Sequence, residues 1–136
     1  MKVQLVEIGG VDPEWESRWT IRALVIDGKD PVQVTLADWM KHSPTDYKAI
    51  MKVIRLAAQE ERVRNEKHVK KSANVDHGDV YEMIAFTGVC RLMFFYDNRH
   101  ESLIICTNPY KKGRGSQNSA FQRCADLRNL YLKFYP

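Results

Sequence analysis

Hydrophobic residues are concentrated in three closely spaced runs within residues 80–110, and these runs predict the centre of the fold. The runs read VYEMIAF, CRLMFFY and SLIICTNPY, and the turn-forming pairs Thr87-Gly88 and Asp97-Asn98 follow the first and the second. Short apolar runs bounded by such residues are typical of an antiparallel meander. We therefore predict strands over residues 80–86, 90–96 and 102–106.

Two further strands are predicted near the N-terminus. Residues 1–8 alternate apolar and polar positions, as an edge strand does. Residues 19–26 (WTIRALVI) are β-branched and aliphatic, and the pair Asp27-Gly28 ends them. Glycine and proline pairs break the chain between these two runs, which predicts a loop there.

A helical hairpin is predicted to follow the second strand. Thr35 and Asp38 form a pair similar to a capping box, so we predict that the first helix begins at Thr35. Ser43-Pro44 ends that helix and begins the next, because proline is tolerated at a first helical position. Apolar residues then recur at helical spacing from Tyr47 to Ala58. A turn this short brings the two helices side by side.

The C-terminal part combines a polar loop, the meander and an amphipathic helix. Residues 65–78 have no apolar period and predict a loop, whereas residues 119–134 place apolar side chains on one helical face. The order of elements predicts one α+β domain over residues 1–136, with a small, mainly antiparallel sheet that carries the helical hairpin and a C-terminal helix. Candidates for the core between hairpin and sheet are Tyr47, Ile50, Ile54, Leu92, Phe94 and Ile104. Arg91 is predicted to face away from that core, because alternate strand positions face opposite sides.

Composition narrows the class of protein. With 136 residues, of which 44% are hydrophobic, the chain is long enough for one domain with its own core. Three cysteines without a CxxC pair predict a reduced, cytoplasmic protein with buried thiols. His68 and His77 are not at the spacing of a metal site, so neither a metal nor a cofactor is predicted. No apolar run approaches ~18 residues, so no membrane span is predicted, and no secretory leader is recognised.

The charge is distributed in blocks. Residues 48–71 hold eight Lys or Arg against three Asp or Glu, and residues 111–136 hold six against one, while the remaining two stretches are net acidic. If the fold brings the two basic blocks together, they form a surface for a polyanion. The alternative is that they are two solvated faces without a partner.

Several segments in order resemble one known family. EKHVKK, VYEM, CRLMFFYD and PYKK, followed by a basic helix, are similar to the RelE/ParE toxins of type II toxin–antitoxin systems, in particular the HigB-like, phage-derived branch. The resemblance covers residues 19–135 and implies a RelE-like fold with residues 1–18 as an N-terminal extension. It also implies a cytoplasmic, ribosome-dependent mRNA endonuclease, or mRNA interferase, held silent by a cognate antitoxin of helix-turn-helix type. Such enzymes activate the ribose 2′-hydroxyl against its own phosphate without metal or cofactor.

The resemblance also suggests roles for basic residues. Arg91 corresponds to the phosphate-binding arginine of the family's central strand, and Lys111 to the basic run after the last strand; both are candidate catalytic residues. Lys70 and His68 are reserve candidates for the general base. Candidate RNA-binding residues are Lys71, Lys112, Arg114, Tyr110 and Arg123. Each assignment has an alternative. Arg91 could instead pair with Glu82 across two strands, and Tyr110 could be a packing residue. The lysine pairs could be solvated charges of a loop.

The sequence departs from the family pattern on the strand of residues 80–86. Family members commonly carry a cation there, whereas this chain reads Glu82-Met83-Ile84-Ala85, and Cys90 replaces the aromatic residue before Arg91. The general base therefore has no assignment from sequence. Two alternatives stay open: a ParE-like inhibitor of DNA gyrase without nuclease chemistry, and a basic RNA-binding or phage accessory protein that has the fold but no activity.

Overall fold

The computed structural model describes residues 1–113 and 115–135, and they form an α+β structure, as predicted. The strands are β1 (Val3–Val6), β2 (Thr20–Ile26), β3 (Val69–Lys71), β4 (Tyr81–Ile84), β5 (Cys90–Asp97) and β6 (Leu103–Lys111). The helices are α1 (Pro31–His42), α2 (Pro44–Gln59) and α3 (Gln117–Phe134). Two short 3₁₀ helices cover Pro13–Trp15 and Val75–His77.

The strands form one mixed sheet in the order β1-β2-β6-β5-β4-β3. Strands β2 and β6 are parallel, and the other neighbouring pairs are antiparallel. The predicted meander is therefore present as β4, β5 and β6. A parallel neighbour for β2 follows from the helical hairpin, which carries the chain across one face of the sheet before it returns.

The helices cover the two faces of the sheet separately. Helices α1 and α2 pack on one face around the largest hydrophobic cluster, which includes the predicted core residues Ile50, Ile54, Leu92, Phe94 and Ile104. Tyr47 lies at the margin of that cluster and is only partly buried. Helix α3 covers the other face, where Phe121, Cys124, Leu127 and Tyr131 are buried against β5 and β6.

Three predicted boundaries were wrong for identifiable reasons. Helix α1 begins at Pro31 and not at Thr35, because Oδ1 of Asp30 accepts a hydrogen bond from the Gln33 amide at 3.1 Å and caps the helix there. The loop predicted over residues 65–78 contains strand β3, in which only Val69 supplies a buried apolar side chain. Strand β6 continues past Cys106 to Lys111 because it pairs with β5 along its whole length.

The N-terminal segment of residues 1–18 is packed into the domain. Its strand β1 pairs with β2 at one edge of the sheet, which confirms the predicted edge strand. Ile8 is buried in the main cluster, and Trp15 packs against it. Gly10 has a φ of 88°, and a Cβ there would lie 2.5 Å from the Tyr47 hydroxyl oxygen. A glycine at position 10 therefore lets this segment approach α2 closely.

A buried polar contact ties the end of α3 to the end of β5. The hydroxyl of Tyr131 donates a hydrogen bond to Oδ2 of Asp97 at 2.6 Å, and Nε and Nη2 of Arg99 donate to the same carboxylate. Burial raises the pKa of Asp97, but the hydrogen bonds from Arg99 and Tyr131 outweigh that effect and hold it at about 2. The contact fixes α3 on the sheet at the end opposite to Arg91.

The three cysteines are free and buried, as predicted. Burial raises the pKa of Cys90 to about 11 and that of Cys124 to about 12, so both thiols are protonated at neutral pH. None of the helices in the described ranges is long and apolar enough to cross a membrane.

Candidate functional site

A polar cavity of about 460 Å³ lies where β4, β5 and β6 meet the start of α3. It opens on the face of the sheet that α3 covers only in part. The residues around it are Glu66, Lys70, Glu82, Ile84, Arg91, Tyr110, Lys112, Gly113, Gly115 and Gln117. Four of the predicted site residues, Lys70, Arg91, Tyr110 and Lys112, are thus brought together from three strands and one loop.

The register of the sheet explains this convergence. Arg91 lies opposite Ile84 on one side and opposite Tyr110 on the other. In the next row, Glu82 lies opposite Lys70. Residues that are directly opposite one another share a face, so these side chains project on the same side. Leu92 and Phe94 project on the other side into the core, which confirms that Arg91 faces away from the helical hairpin.

Glu82 is fully buried beside the cavity, and Arg91 is 8% exposed. Nη1 of Arg91 donates to Oε1 of Glu82 at 3.0 Å, and Nη2 donates to the carbonyl oxygen of Gly88 at 2.9 Å. Nε2 of Gln117, in the first turn of α3, donates to the same Oε1 atom at 2.6 Å. The pair that the sequence suggested as an alternative role for Arg91 is therefore formed.

One oxygen of that carboxylate is left without a partner. Within the described part of the chain, Oε2 of Glu82 and Nε of Arg91 are buried and have no hydrogen bond. A buried polar atom without a partner is costly, and such atoms occur at sites that bind a ligand or carry out chemistry. Both residues line the same cavity, and each has one buried polar atom that no described group contacts.

Tyr110 adds a hydroxyl group to this cavity. Burial is the largest effect that raises its pKa, the charge of Glu82 raises it further, and the charge of Arg91 opposes both. The hydroxyl group is therefore protonated at neutral pH and can donate a hydrogen bond or a proton.

Neighbouring lysines are divided between the two faces of the sheet. Lys112 lines the cavity, whereas Lys111 lies opposite Cys90 and its Nζ atom is 3.4 Å from the Ser43 hydroxyl, on the side of the helical hairpin. Lys70 lines the cavity, whereas Nζ of Lys71 pairs with Asp79 at 2.8 Å. The period of two along β3 separates Lys70 from Lys71, and Lys112 follows the end of β6 at Lys111. Lys111 and Lys71 are thus outside the cavity.

The remaining predicted site residues lie away from the cavity or outside the described residues. His68 packs against Phe86 with ring centroids 4.4 Å apart and is not part of the cavity wall. Arg123 is exposed on α3, beside a separate, mostly apolar groove that includes Leu127. Arg114 lies outside the described residues.

Neither comparison with known proteins nor a search for metal ligands assigns a further role to these residues. The chain matches no protein-family model, no curated protein and no solved structure. Among residues 1–113 and 115–135, no group of three or more His, Cys, Asp or Glu side chains is close enough to hold a metal ion.

Glu82 is the functional candidate that sequence reasoning missed. The sequence identified it only as a partner that neutralises Arg91 across two strands. The signal was present, because Glu82 is the one charged residue of its apolar run, as Arg91 is of the next. What the sequence does not show is that, among the residues that the structure describes, only one of its two oxygens has a hydrogen-bond partner.

Proposed function

We propose that this protein is an endoribonuclease that cleaves RNA by attack of the 2′-hydroxyl on the adjacent phosphate, without a metal ion. The observation that carries the proposal is the buried carboxylate of Glu82 in the cavity lining, with Oε1 held by Arg91 and Gln117 and Oε2 without a partner among the described residues. This reaction needs a base near the 2′-hydroxyl, fixed positive charge near the phosphate and an acid for the leaving oxygen.

Each of these requirements has a candidate in the cavity. Oε2 of Glu82 takes the proton of the 2′-hydroxyl, because no group in residues 1–113 and 115–135 occupies this acceptor. Arg91 stabilises the charge that develops on the phosphate, and its position on a strand means that it needs little reorganisation. Tyr110 donates the proton to the departing 5′-oxygen, and Lys70 and Lys112 hold flanking phosphates. The products are a 2′,3′-cyclic phosphate and a free 5′-hydroxyl.

The resemblance to the RelE/ParE toxins extends this proposal to a biological role. In that reading the domain has the RelE-like fold, acts on mRNA bound to the ribosome and is silenced by a cognate antitoxin. Support for a polyanionic substrate comes from Lys70 and Lys112, one from each basic block, which line the same cavity. The two open alternatives, gyrase inhibition and RNA binding without cleavage, do not require a general base at Glu82.

The experiment compares wild type with Glu82→Gln in two assays, one with free RNA and one with mRNA on translating ribosomes. Glutamine keeps the shape of the side chain but is not a base, so we expect cleavage to fall by about 100-fold or more. Lys111→Ala serves as the control, because that lysine lies on the other face of the sheet. Cleavage is expected to persist in EDTA and to leave 2′,3′-cyclic phosphate ends.

The outcomes separate the candidates. Cleavage by wild type that disappears in Glu82→Gln and persists in Lys111→Ala supports the proposal. Undiminished cleavage by Glu82→Gln would refute the role of the carboxylate. Inhibition of DNA supercoiling by wild type, with intact message, would favour the gyrase alternative. RNA binding without cleavage in both assays would favour the accessory protein.

A further inference from the structure

An exposed aromatic residue stands beside the proposed cleavage site without a role in it. Phe86 lies in the turn between β4 and β5 and is 53% exposed. Its ring contacts the imidazole of His68 in an edge-on arrangement, with centroids 4.4 Å apart. Nδ1 of His68 is buried and has no hydrogen-bond partner in the described ranges.

This aromatic pair lies at the end of a row that crosses the cavity. Tyr110, Arg91 and Ile84 are opposite one another on β6, β5 and β4. The amide of Ile84 donates to the carbonyl oxygen of His68 at 2.8 Å, which continues the row to the segment before β3. Neighbouring strands are ~4.8 Å apart, so His68 is roughly 10 Å from Arg91 along the row.

The turn that carries Phe86 is fixed from both sides. The hydroxyl of Thr87 donates to Oδ1 of Asp46 on α2 at 2.6 Å, and the amide of Gly88 donates to the Ala85 carbonyl oxygen at 2.7 Å. Nη2 of Arg91 donates to the Gly88 carbonyl oxygen. Arg91 of the proposed site therefore also stabilises the turn. These hydrogen bonds fix the backbone that carries the exposed side chain of Phe86.

From this geometry we infer that Phe86 and His68 form a nucleobase-binding subsite, on which one base next to the scissile phosphate stacks. The inference rests on the proposed function for the identity of the phosphate, but the stacking itself does not depend on cleavage. An exposed, fixed aromatic face next to a cluster of cations is the arrangement with which proteins bind single-stranded nucleic acids. The ligand class is a single-stranded oligonucleotide, bound through the π-face of one base.

The test uses a short single-stranded deoxyribonucleotide with 2-aminopurine at one position, moved along the strand in successive probes. This probe keeps bases and phosphates but lacks the 2′-hydroxyl, so it cannot be cleaved by the proposed reaction. Stacking on Phe86 is expected to quench the fluorescence of 2-aminopurine at one position. Phe86→Ala should abolish that quenching and weaken binding by about 10- to 100-fold, whereas Phe86→Trp should retain both.

Met40→Ala is the matched control, because Met40 is 55% exposed but lies on α1, on the other face of the sheet. Its binding and quenching should equal those of wild type. Equal affinity of Phe86→Ala and wild type for the probe would overturn the inference even if the protein cleaves RNA. Phe86 would then be a candidate contact for a protein partner. Loss of binding in Phe86→Ala, in a protein that cleaves nothing, would support the subsite and refute only the cleavage reaction.

Discussion

Nη1 of Arg91 lies 3.0 Å from Oε1 of Glu82, and both side chains are buried between the sheet and α3. A buried ion pair of this kind is not by itself a source of stability, since desolvation offsets the attraction of the charges. Removing one partner leaves the other charge buried and uncompensated. Arg91 therefore has a structural role as well as its proposed catalytic role, and the two have to be separated by experiment.

The first prediction concerns this pair and the free energy of unfolding. Arg91→Ala is expected to destabilise the fold by about 3–5 kcal/mol, because it leaves the Glu82 carboxylate buried without its cation. The double variant Arg91→Leu/Glu82→Leu should lower the free energy of unfolding much less, because it buries no charge. Urea unfolding of the single and double variants measures both values. Additive losses in the double variant would contradict the buried pair.

A second prediction compares the two adjacent lysines at the end of β6. Lys112 lines the cavity and Lys111 does not, so only Lys112→Ala should weaken RNA binding appreciably. It should also make the slope of log affinity against log salt shallower by about 0.7, the value for one phosphate contact on a single strand. Salt titrations of binding to single-stranded RNA provide the measurement. A larger effect of Lys111→Ala would reverse the assignment of faces.

The third prediction is a dependence of stability on acid pH. Asp97 has a native pKa of about 2, below its ordinary value near 4 in an unfolded chain. Its contribution to stability is therefore fully present above pH ~4 and is lost as the pH falls through about 2. Urea midpoints recorded from neutral pH down to pH ~2 should show this loss in wild type, and Asp97→Asn should flatten it. Glu101→Gln, at an exposed position, should leave the profile unchanged.

The fourth prediction tests whether the N-terminal segment is part of the domain. Gly10→Ala should lower the melting temperature, because position 10 has a positive φ and the new Cβ would collide with the Tyr47 side chain. Gly9→Ala is the control, since its Cβ would meet only the Gln33 side chain, at 3.8 Å. Thermal unfolding of the two variants gives the comparison. Equal melting temperatures would mean that this segment contributes little.

Much of the fold was predictable because the apolar patterns within single segments match the burial of those segments in the folded protein. The runs around Leu92 and Ile104 are apolar enough to predict strands that are buried on both faces. Strand β3 was not predictable, because its residues Val69, Lys70 and Lys71 include only one apolar side chain, and its pairing with β4 is a non-local interaction. The start of α1 was misplaced because two overlapping caps compete, and Asp30-Pro31 is the one used.

The candidate site was predictable only in part, because the sequence does not show on which face of the sheet each side chain lies. Arg91, Tyr110, Lys112 and Lys70 were all named from the sequence, but so were Lys111 and Lys71, which are one residue away and project to the other face. Adjacent residues on a strand, such as Lys70 and Lys71 on β3, always diverge in this way, and Lys112 lies just past the end of β6 at Lys111. Which of two lysines enters a cavity depends on the register of the strand, and a basic pair in a sequence carries no information about that.

By itself, the sequence determined the α+β class, the meander, the helical hairpin and the amphipathic C-terminal helix, because each depends on periodicities within one segment. Only the tertiary structure decided that Glu82 shares a cavity with Lys70, Arg91 and Tyr110 and that one of its oxygens has no partner in the described part of the chain. That arrangement depends on the register of four strands and on the position of Gln117 at the start of α3. Register is set by contacts between distant segments and by burial of a whole face, so no single stretch of the chain encodes it.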